Sequence, residues 1–323
     1  MDKYIKYYYN INPFDIHIYD DNYFFSDNVG NLFCLFNYSN SRLMNCDVNH
    51  LFRAYEISTF LHNNKMYCHS IIITLNSQLY IKINNSVYVL LKYDKEYGRN
   101  KKISVNDLKY YFNVVVPPYM FSNNLMQTWG ERWSKKLDYF EYQLNQFGFE
   151  HPYLRKSFGY FSGMVELAIS IENTVNSKYY LNDLSISHFR ITKDESMFDF
   201  YNPLYFIIDL RERDFSEYCK NKLFTQNNLN IELLVEEALL FMNNNSFDNN
   251  NIILFFIRIL YFTEYFDTFE DIMNGKLEEK NILSILSKIT NFEKFLNNIY
   301  FDIKKCGYIF PHIEWLEKNI HNK

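Results

Sequence analysis

The pattern of this chain changes once, near residue 100, and that change limits the architectures open to it. Before it, five runs read as strands: 14–25, 32–38, 70–75, 78–83 and 86–93 carry alternating or β-branched residues with Asn, Gly or Asp between them. One helical spacing interrupts them at 47–63, where Leu51, Ala54, Tyr55, Ile57 and Leu61 recur with the helical period. Asn76-Ser77 and Asn84-Asn85 then read as short turns within a resumed sheet. After a polar connector at 92–100, amphipathic helices are predicted over 105–114, 128–146, 151–174, 231–242, 252–273, 278–290 and 291–306. Residues able to cap free backbone N–H groups open them, as at Thr128 and Asn291. The expectation is an α+β chain of two parts: a β-rich N-terminal lobe, 1–95, and a helical C-terminal lobe, 96–323, carrying one small β insertion at 181–210.

Composition narrows the function classes. With 323 residues the chain can bury a large core, and 48% hydrophobic content with only 8 Gly and 6 Pro argues for ordered structure. The 20% aromatic share is mostly Tyr and Phe, and with Asn-dense tracts such as 242–251 it reads as the residue choice of an AT-rich genome. A net charge of -5 with scattered Lys and Arg gives no basic footprint for nucleic acid. The apolar run 252–262 is broken by Arg258 and is shorter than the roughly 20 residues that span a bilayer. The opening MDKYIKYYYN is polar within a few residues and is not read as an export signal. Cys34, Cys46, Cys68, Cys219 and Cys306 are widely separated and form no CxxC pair, so they read as reduced thiols. Cys68 and His69 lack the second close ligand pair of a structural zinc site.

The chemistry is concentrated in LNDLSISHFRITKDESMFDFYNPLYFIIDLRERDFSEYCK, residues 181–220. A short run ends at His188, about twenty residues follow, and the β-rich run 204–208 delivers Asp209 at its end. That is the layout of a phosphoryl-transfer site. Such a site needs a strand Lys for the phosphates, a helix Glu to hold it, an Asp base with a nearby Asn, and an Asp for the metal. The strand 32–38 holds Phe36 or Asn37 where the Lys would follow. Glu56 stands where the helix Glu would be, or is a solvated charge. Asp209 is either the metal ligand or an ion-pair partner of Arg211 or Arg213. Two registers remain for the catalytic loop. In one, preferred on spacing, His188 leads the motif and Arg190 falls at the base position, where a guanidinium cannot accept a proton. In the other, Asp183 is the base and His188 replaces the metal-binding Asn. Gly30 is a lone turn glycine, too little for a phosphate-binding loop.

The segments 129–169 (WGERWSKKLDYFEYQLNQFGFEHPYLRKSFGYFSGMVELAI), 185–191 (SISHFRI), 207–218 (IIDLRERDFSEY) and 258–273 (RILYFTEYFDTFEDIM), with Pro-His-Ile-Glu-Trp-Leu at 311–316, resemble the CotS-type spore-coat proteins of Firmicutes, and within them the YutH branch. The resemblance implies a bilobal protein-kinase-like fold of the aminoglycoside phosphotransferase and choline kinase type, and a place in spore formation. It also implies a degraded catalytic motif, in agreement with Arg190. Within these segments Trp129, Trp133, Tyr139 and Tyr142 follow helical spacing and read as lobe packing. Asp214 and Glu217 read as acidic residues at a helix start, and Asp214 alternatively as a support of the catalytic loop.

The sequence expectation is therefore a pseudokinase-like structural or interaction protein. It would be cytoplasmic with spore-coat association, have a protein partner such as a coat component, and bind neither nucleic acid nor membrane. The alternative is an active ATP-dependent phosphotransferase using Asp183 and Asp209. No cofactor follows with certainty. ATP is the candidate, with Mg²⁺, or with the softer Mn²⁺ if His188 is a ligand.

Overall fold

The computed structural model describes residues 1–40, 48–120, 128–175, 184–191 and 195–318. Cys46 and Asp183 lie outside the described residues. The chain forms two compact units. The first comprises Met1–Ile103, His188–Arg190 and Asp194–Ile207, and the second Ser104–Ser187, Ile191–Lys193 and Ile208–Lys323.

In the first unit α1 (Asp2–Tyr9) precedes β1 (Phe14–Tyr19), β2 (Asn22–Ser26) and β3 (Leu32–Asn37), followed by α2 (Val48–Asn63), β4 (Ser70–Ile72), β5 (Ile81–Ile83) and β6 (Ser86–Tyr93). The strands pair antiparallel in the order β1-β2-β3-β6-β4, with β5 also on β6. Two hairpins close on two-residue turns with both central residues at positive φ, Asp20 and Asp21 at 46° and 59° and Asn84 and Asn85 at 47° and 69°. This is the turn whose twist matches antiparallel strands, and Asp and Asn tolerate it better than other side-chain-bearing residues. β3 is buried on both faces. Because successive side chains point to opposite sides of a strand, Phe33 and Leu35 enter one core and Cys34 and Phe36 another. The first core is covered by Ile5 and Tyr9 of α1, a helix that the Tyr-rich sequence did not announce. The second is covered by Leu51 and Ala54 of α2 together with Phe198, Leu204 and Tyr205. These last residues come from the segment between β7 (Leu184–His188) and β8 (Phe206–Leu210), which contains the short α6 (Met197–Phe200). Strands β7 and β8 form a separate two-stranded sheet.

The second unit carries α3 (Val105–Phe112), α4 (Trp129–Phe147), α5 (Pro152–Glu172), α7 (Glu212–Thr225), α8 (Ile231–Asn244), α9 (Asn249–Leu260), α10 (Thr263–Met273), α11 (Ile282–Leu286), α12 (Ile289–Lys305) and α13 (Glu314–Lys318). Residues Asn251 to Leu260 of α9 are buried all round, which makes it the central helix, with α5 and α7 against it. The single helix expected over 252–273 is two, broken where Tyr261 and Phe262 turn to ψ 106° and 80°. Phe161 stacks on Tyr265 at 3.6 Å, and Phe140 on Phe266 at 5.0 Å.

Helix α4 begins with a reciprocal cap in which Glu131 N–H donates to Thr128 Oγ1 at 3.2 Å and Thr128 N–H donates to Glu131 Oε2 at 3.0 Å. A third free N–H, that of Gly130, donates to Glu172 Oε2 of α5 at 2.6 Å. The buried stripe of α4 runs Trp129, Trp133, Leu137, Phe140. Tyr139 and Tyr142 fall off that stripe and are 48% and 59% exposed, so only the two tryptophans of the four aromatic residues expected to pack the lobe do so.

Candidate functional site

Asp209 lies one residue from the end of β8 and is 2% exposed. Its carboxylate is already surrounded. Oδ1 accepts hydrogen bonds from Trp129 Nε1 at 2.9 Å, from Leu210 N–H at 2.9 Å and from Arg132 Nη2 at 3.3 Å. Oδ2 accepts from Nη1 of Arg213, the second residue of α7, at 2.8 Å. The ion pair with Arg213 is thus present, while Arg211 turns instead to Asn251 Oδ1 at 2.9 Å. Burial alone would raise the Asp209 pKa, but the attraction of Arg132, Arg213 and Arg258 and the Leu210 N–H outweigh it and hold the group down at about 2.

A second buried cluster adjoins it on α7, α9 and α10. Arg258 donates through Nε to Glu217 Oε1 at 2.6 Å, and its guanidinium lies 5.1 Å from the Trp129 ring centroid. Lys220, which is fully buried, donates to the same Glu217 oxygen at 3.0 Å, to Tyr261 O at 2.7 Å and to Thr263 Oγ1 at 2.9 Å. Desolvation lowers the Lys220 pKa to about 8 against the pull of Glu217. Glu264, with Oε2 sealed from solvent, has its pKa raised to about 7 by burial, although Lys220 opposes the shift. Glu212, Arg213, Asp214, Glu217 and Lys220 are all buried, so a helix whose sequence reads as solvated is an internal charged helix. Glu217 and Lys220 pair across an i,i+3 spacing on it.

The other expected site residues stand apart from this carboxylate in what they do. His188 ends β7, is 2% exposed, donates through Nε2 to Phe200 O at 2.8 Å and stacks on the Phe200 ring at 4.7 Å. Arg190 is half-buried, donates to Phe189 O at 3.1 Å and lies over the Phe189 ring at 4.9 Å. Glu56 is exposed on α2, whose buried residues are Leu51, Ala54, Ile57, Ser58 and Leu61. At the strand position of the phosphate Lys, Phe36 packs edge-on against Tyr205 at 5.9 Å and Asn37 is buried. His69 is fully buried, with Nε2 donating to Phe198 O at 2.9 Å and Nδ1 accepting from Tyr67 OH at 3.1 Å, and burial lowers its pKa to about 3. Both ring nitrogens being used, it is a neutral structural histidine.

A divalent metal does not fit Asp209 as placed. Mg²⁺ needs carboxylate oxygens at about 2.1 Å in a near-octahedral shell. Here Oδ1 accepts three N–H donors and Oδ2 is paired with the Arg213 guanidinium, and Arg132, Arg213 and Arg258 already neutralise the charge. Among the described residues no three His, Cys, Asp or Glu side chains gather where a metal ion could be held.

The first unit contains a cavity of about 650 Å³ that the sequence did not announce, lined by β1, β2, Leu32 of β3, Tyr93 of β6, the connector after β6, and Ser196 and Asp199 at the start of α6. Arg99 is among its lining residues. Its guanidinium lies 3.0 Å from the Tyr19 ring centroid and 5.2 Å from that of Phe24, and 3.6 Å from Asp20.

Residues 2–299 match the family model described as "Spore coat putative kinase YutH". No curated protein matches the chain. Among solved structures, an aminoglycoside phosphotransferase from Alicyclobacillus acidocaldarius subsp. acidocaldarius aligns with TM-score 0.67 at 7% identity, over 94% of this chain and 97% of that one. Amicoumacin kinase in complex with AMP-PNP, Ca2+ and amicoumacin aligns with TM-score 0.55 at 10% identity, over 90% and 92%. The AMP-bound complex of a spectinomycin phosphotransferase aligns with TM-score 0.54 at 12% identity, over 91% and 93%. At these identities the likeness shows the fold: kinase-like, of the aminoglycoside phosphotransferase type, with a small antiparallel sheet region and a mostly helical remainder.

Proposed function

Starting from the YutH spore-coat family, to which this chain belongs across residues 2–299, we propose that it is a kinase-fold protein without phosphoryl-transfer activity, acting as a structural or interaction component of the spore coat. The observation that carries this reading is the state of Asp209. A carboxylate that accepts Trp129, Arg132, Arg213 and Leu210 N–H groups is a structural anion, and freeing it for a metal would break its buried ion pair with Arg213. His188 supports the same reading, since its Nε2 proton is committed to Phe200 O. The missing strand Lys at Phe36 and the exposed Glu56 remove the clamp that would orient the phosphates. The partner is a protein of the coat, met in the cytoplasm where the coat assembles. No described helix is long and apolar enough to cross a membrane.

Incubation of the full chain with radiolabelled ATP and Mg²⁺ or Mn²⁺ is the test. No autophosphorylation and no transfer to coat extracts above background is expected. Metal-dependent transfer that disappears in Asp209→Ala but persists in a surface control would overturn the proposal and restore the phosphotransferase built on Asp183 and Asp209.

A further inference from the structure

The turn that ends α10 holds the chain's one Asn-Gly pair: Asn274 is exposed, and Gly275 follows it at φ 70°. A peptide nitrogen can attack the side-chain amide carbon of the asparagine before it, and glycine, having no Cβ, hinders that approach least. Two features hold the reaction back in the folded chain. The Gly275 N–H is bound to Ile272 O at 2.9 Å. The Asn274 backbone lies at φ -85° and ψ 3°, whereas ring closure needs ψ swung away until the Gly275 nitrogen lies alongside Asn274 Cβ. The same turn fixes the course of the chain beyond it. Asn274 N–H donates to Glu270 O at 2.9 Å, and Asp271 O accepts from Lys276 N–H at 2.8 Å and from Leu277 N–H at 3.2 Å. Shortly after, Glu279 Oε1 accepts from Tyr153 N–H at 2.6 Å and from Leu154 N–H at 3.0 Å. Those are orphan donors in the first turn of α5, whose N-cap residue His151 offers no side-chain bond of its own.

From this arrangement we propose that Asn274 is a site of spontaneous covalent modification, a deamidation admitted by fraying of the α10 C-cap, whose product withdraws Glu279 from the start of α5. The Gly275 nitrogen gives its proton to hydroxide and bonds to Asn274 Cγ; the Cγ–Nδ2 bond breaks, and ammonia leaves. Water then opens the cyclic imide at one of its two carbonyls and leaves aspartate or isoaspartate at 274. One water is consumed and one ammonia released, with no oxidant or cofactor. Aspartate puts a negative charge at the negative end of the helix dipole, where Glu270 and Asp271 precede it. Isoaspartate adds a main-chain carbon inside a turn closed by backbone hydrogen bonds. Either product loosens the link that aims Glu279 at α5. The step is one-way, so the converted fraction records how long the cap has stood open.

Peptide mass mapping of the full chain, aged in mildly alkaline buffer with and without urea, tests this. In the native chain conversion is expected at Asn274 before any other asparagine, and it should run about tenfold or more faster once urea has removed the cap. Asn274→Gln should abolish it at that position. Hydrogen exchange on the aged chain should show the Tyr153 and Leu154 amides losing about tenfold or more of their protection, while those of α12 keep theirs. Glu279→Gln in the unaged chain should expose the same two amides. Equal rates with and without urea, faster conversion at another asparagine of the native chain, or unchanged exchange at Tyr153 and Leu154 in either the converted chain or Glu279→Gln overturns the proposal. None of these results bears on phosphoryl transfer, so the proposal stands or falls apart from the functional reading.

Discussion

Asp209 and Arg213 approach to 2.8 Å where both side chains are under a tenth exposed, and the consequence can be measured. Breaking a buried pair from one side costs about 3–5 kcal/mol because the remaining charge loses both water and partner. Asp209→Ala should therefore lower the unfolding free energy by about that amount in urea titrations, whereas a carboxylate kept for a metal would leave stability unchanged or improved. Its folded-state pKa, near 2, lies below the unfolded value of about 3.9. The stabilisation is thus complete above about pH 4 and is lost as the pH falls through 2. Glu264 has the opposite sign. With its pKa raised from 4.5 to about 7, the folded state holds the proton more tightly, so stability falls as the pH rises from 4.5 to 7. Lys220, lowered from 10.5 to about 8, restores stability as the pH climbs through that interval. Stability against pH should show a shallow minimum between 7 and 8, and Glu264→Gln should flatten its acid side, a change on the order of 1–3 kcal/mol. Asp209 was legible as a carboxylate closing an apolar strand, and Arg213 as its neighbour. Arg132, 77 residues away in sequence, was not, because local patterns carry no record of which distant guanidinium a fold will bring in.

At the start of α4 the N–H of Gly130 meets Glu172 at 2.6 Å, and an added Cβ there would sit 2.3 Å from the same carboxylate oxygen. Gly130→Ala must push Glu172 aside and lose that buried bond, against a gain of up to about 1 kcal/mol in helix propensity. A net loss of about 1–3 kcal/mol is expected by thermal or chemical denaturation, set by the cost of an unsatisfied buried carboxylate. Elements whose boundaries are written in local chemistry were legible. The hairpin at Asn84-Asn85 and the cap at Thr128 lie where the turn and capping residues put them. Helix α1 was not, because DKYIKYYY buries only Ile5 and Tyr9 and offers no clear apolar stripe. The break between α9 and α10 was hidden for the opposite reason: apolar residues continue through Tyr261 and Phe262, and neither Gly nor Pro marks it. The internal charges of α7 look like solvated ones until partners on α9 and α10 are known.

The first unit draws Phe198, Leu204 and Tyr205 into one core with β3, α2 and β6. His69 N–H donates to Tyr201 O at 2.9 Å, and Ile103 N–H to Glu195 O at 3.0 Å, so the late segment is fastened by backbone as well as by side chains. A fragment ending at residue 103 lacks one cover of its sheet. It should give poorly dispersed amide resonances and no cooperative melt, and adding a peptide spanning 194–207 should recover part of both. A well-dispersed spectrum from the fragment alone would show that the late segment is dispensable. The same arrangement sets a timetable for synthesis. The ribosome must translate roughly a hundred further residues after the sheet emerges before its last cover exists, about 5–20 s at ordinary elongation rates. Throughout that interval Phe36 and Leu91 lie on an incomplete face, so the nascent chain, more than the finished protein, is the form that needs a chaperone.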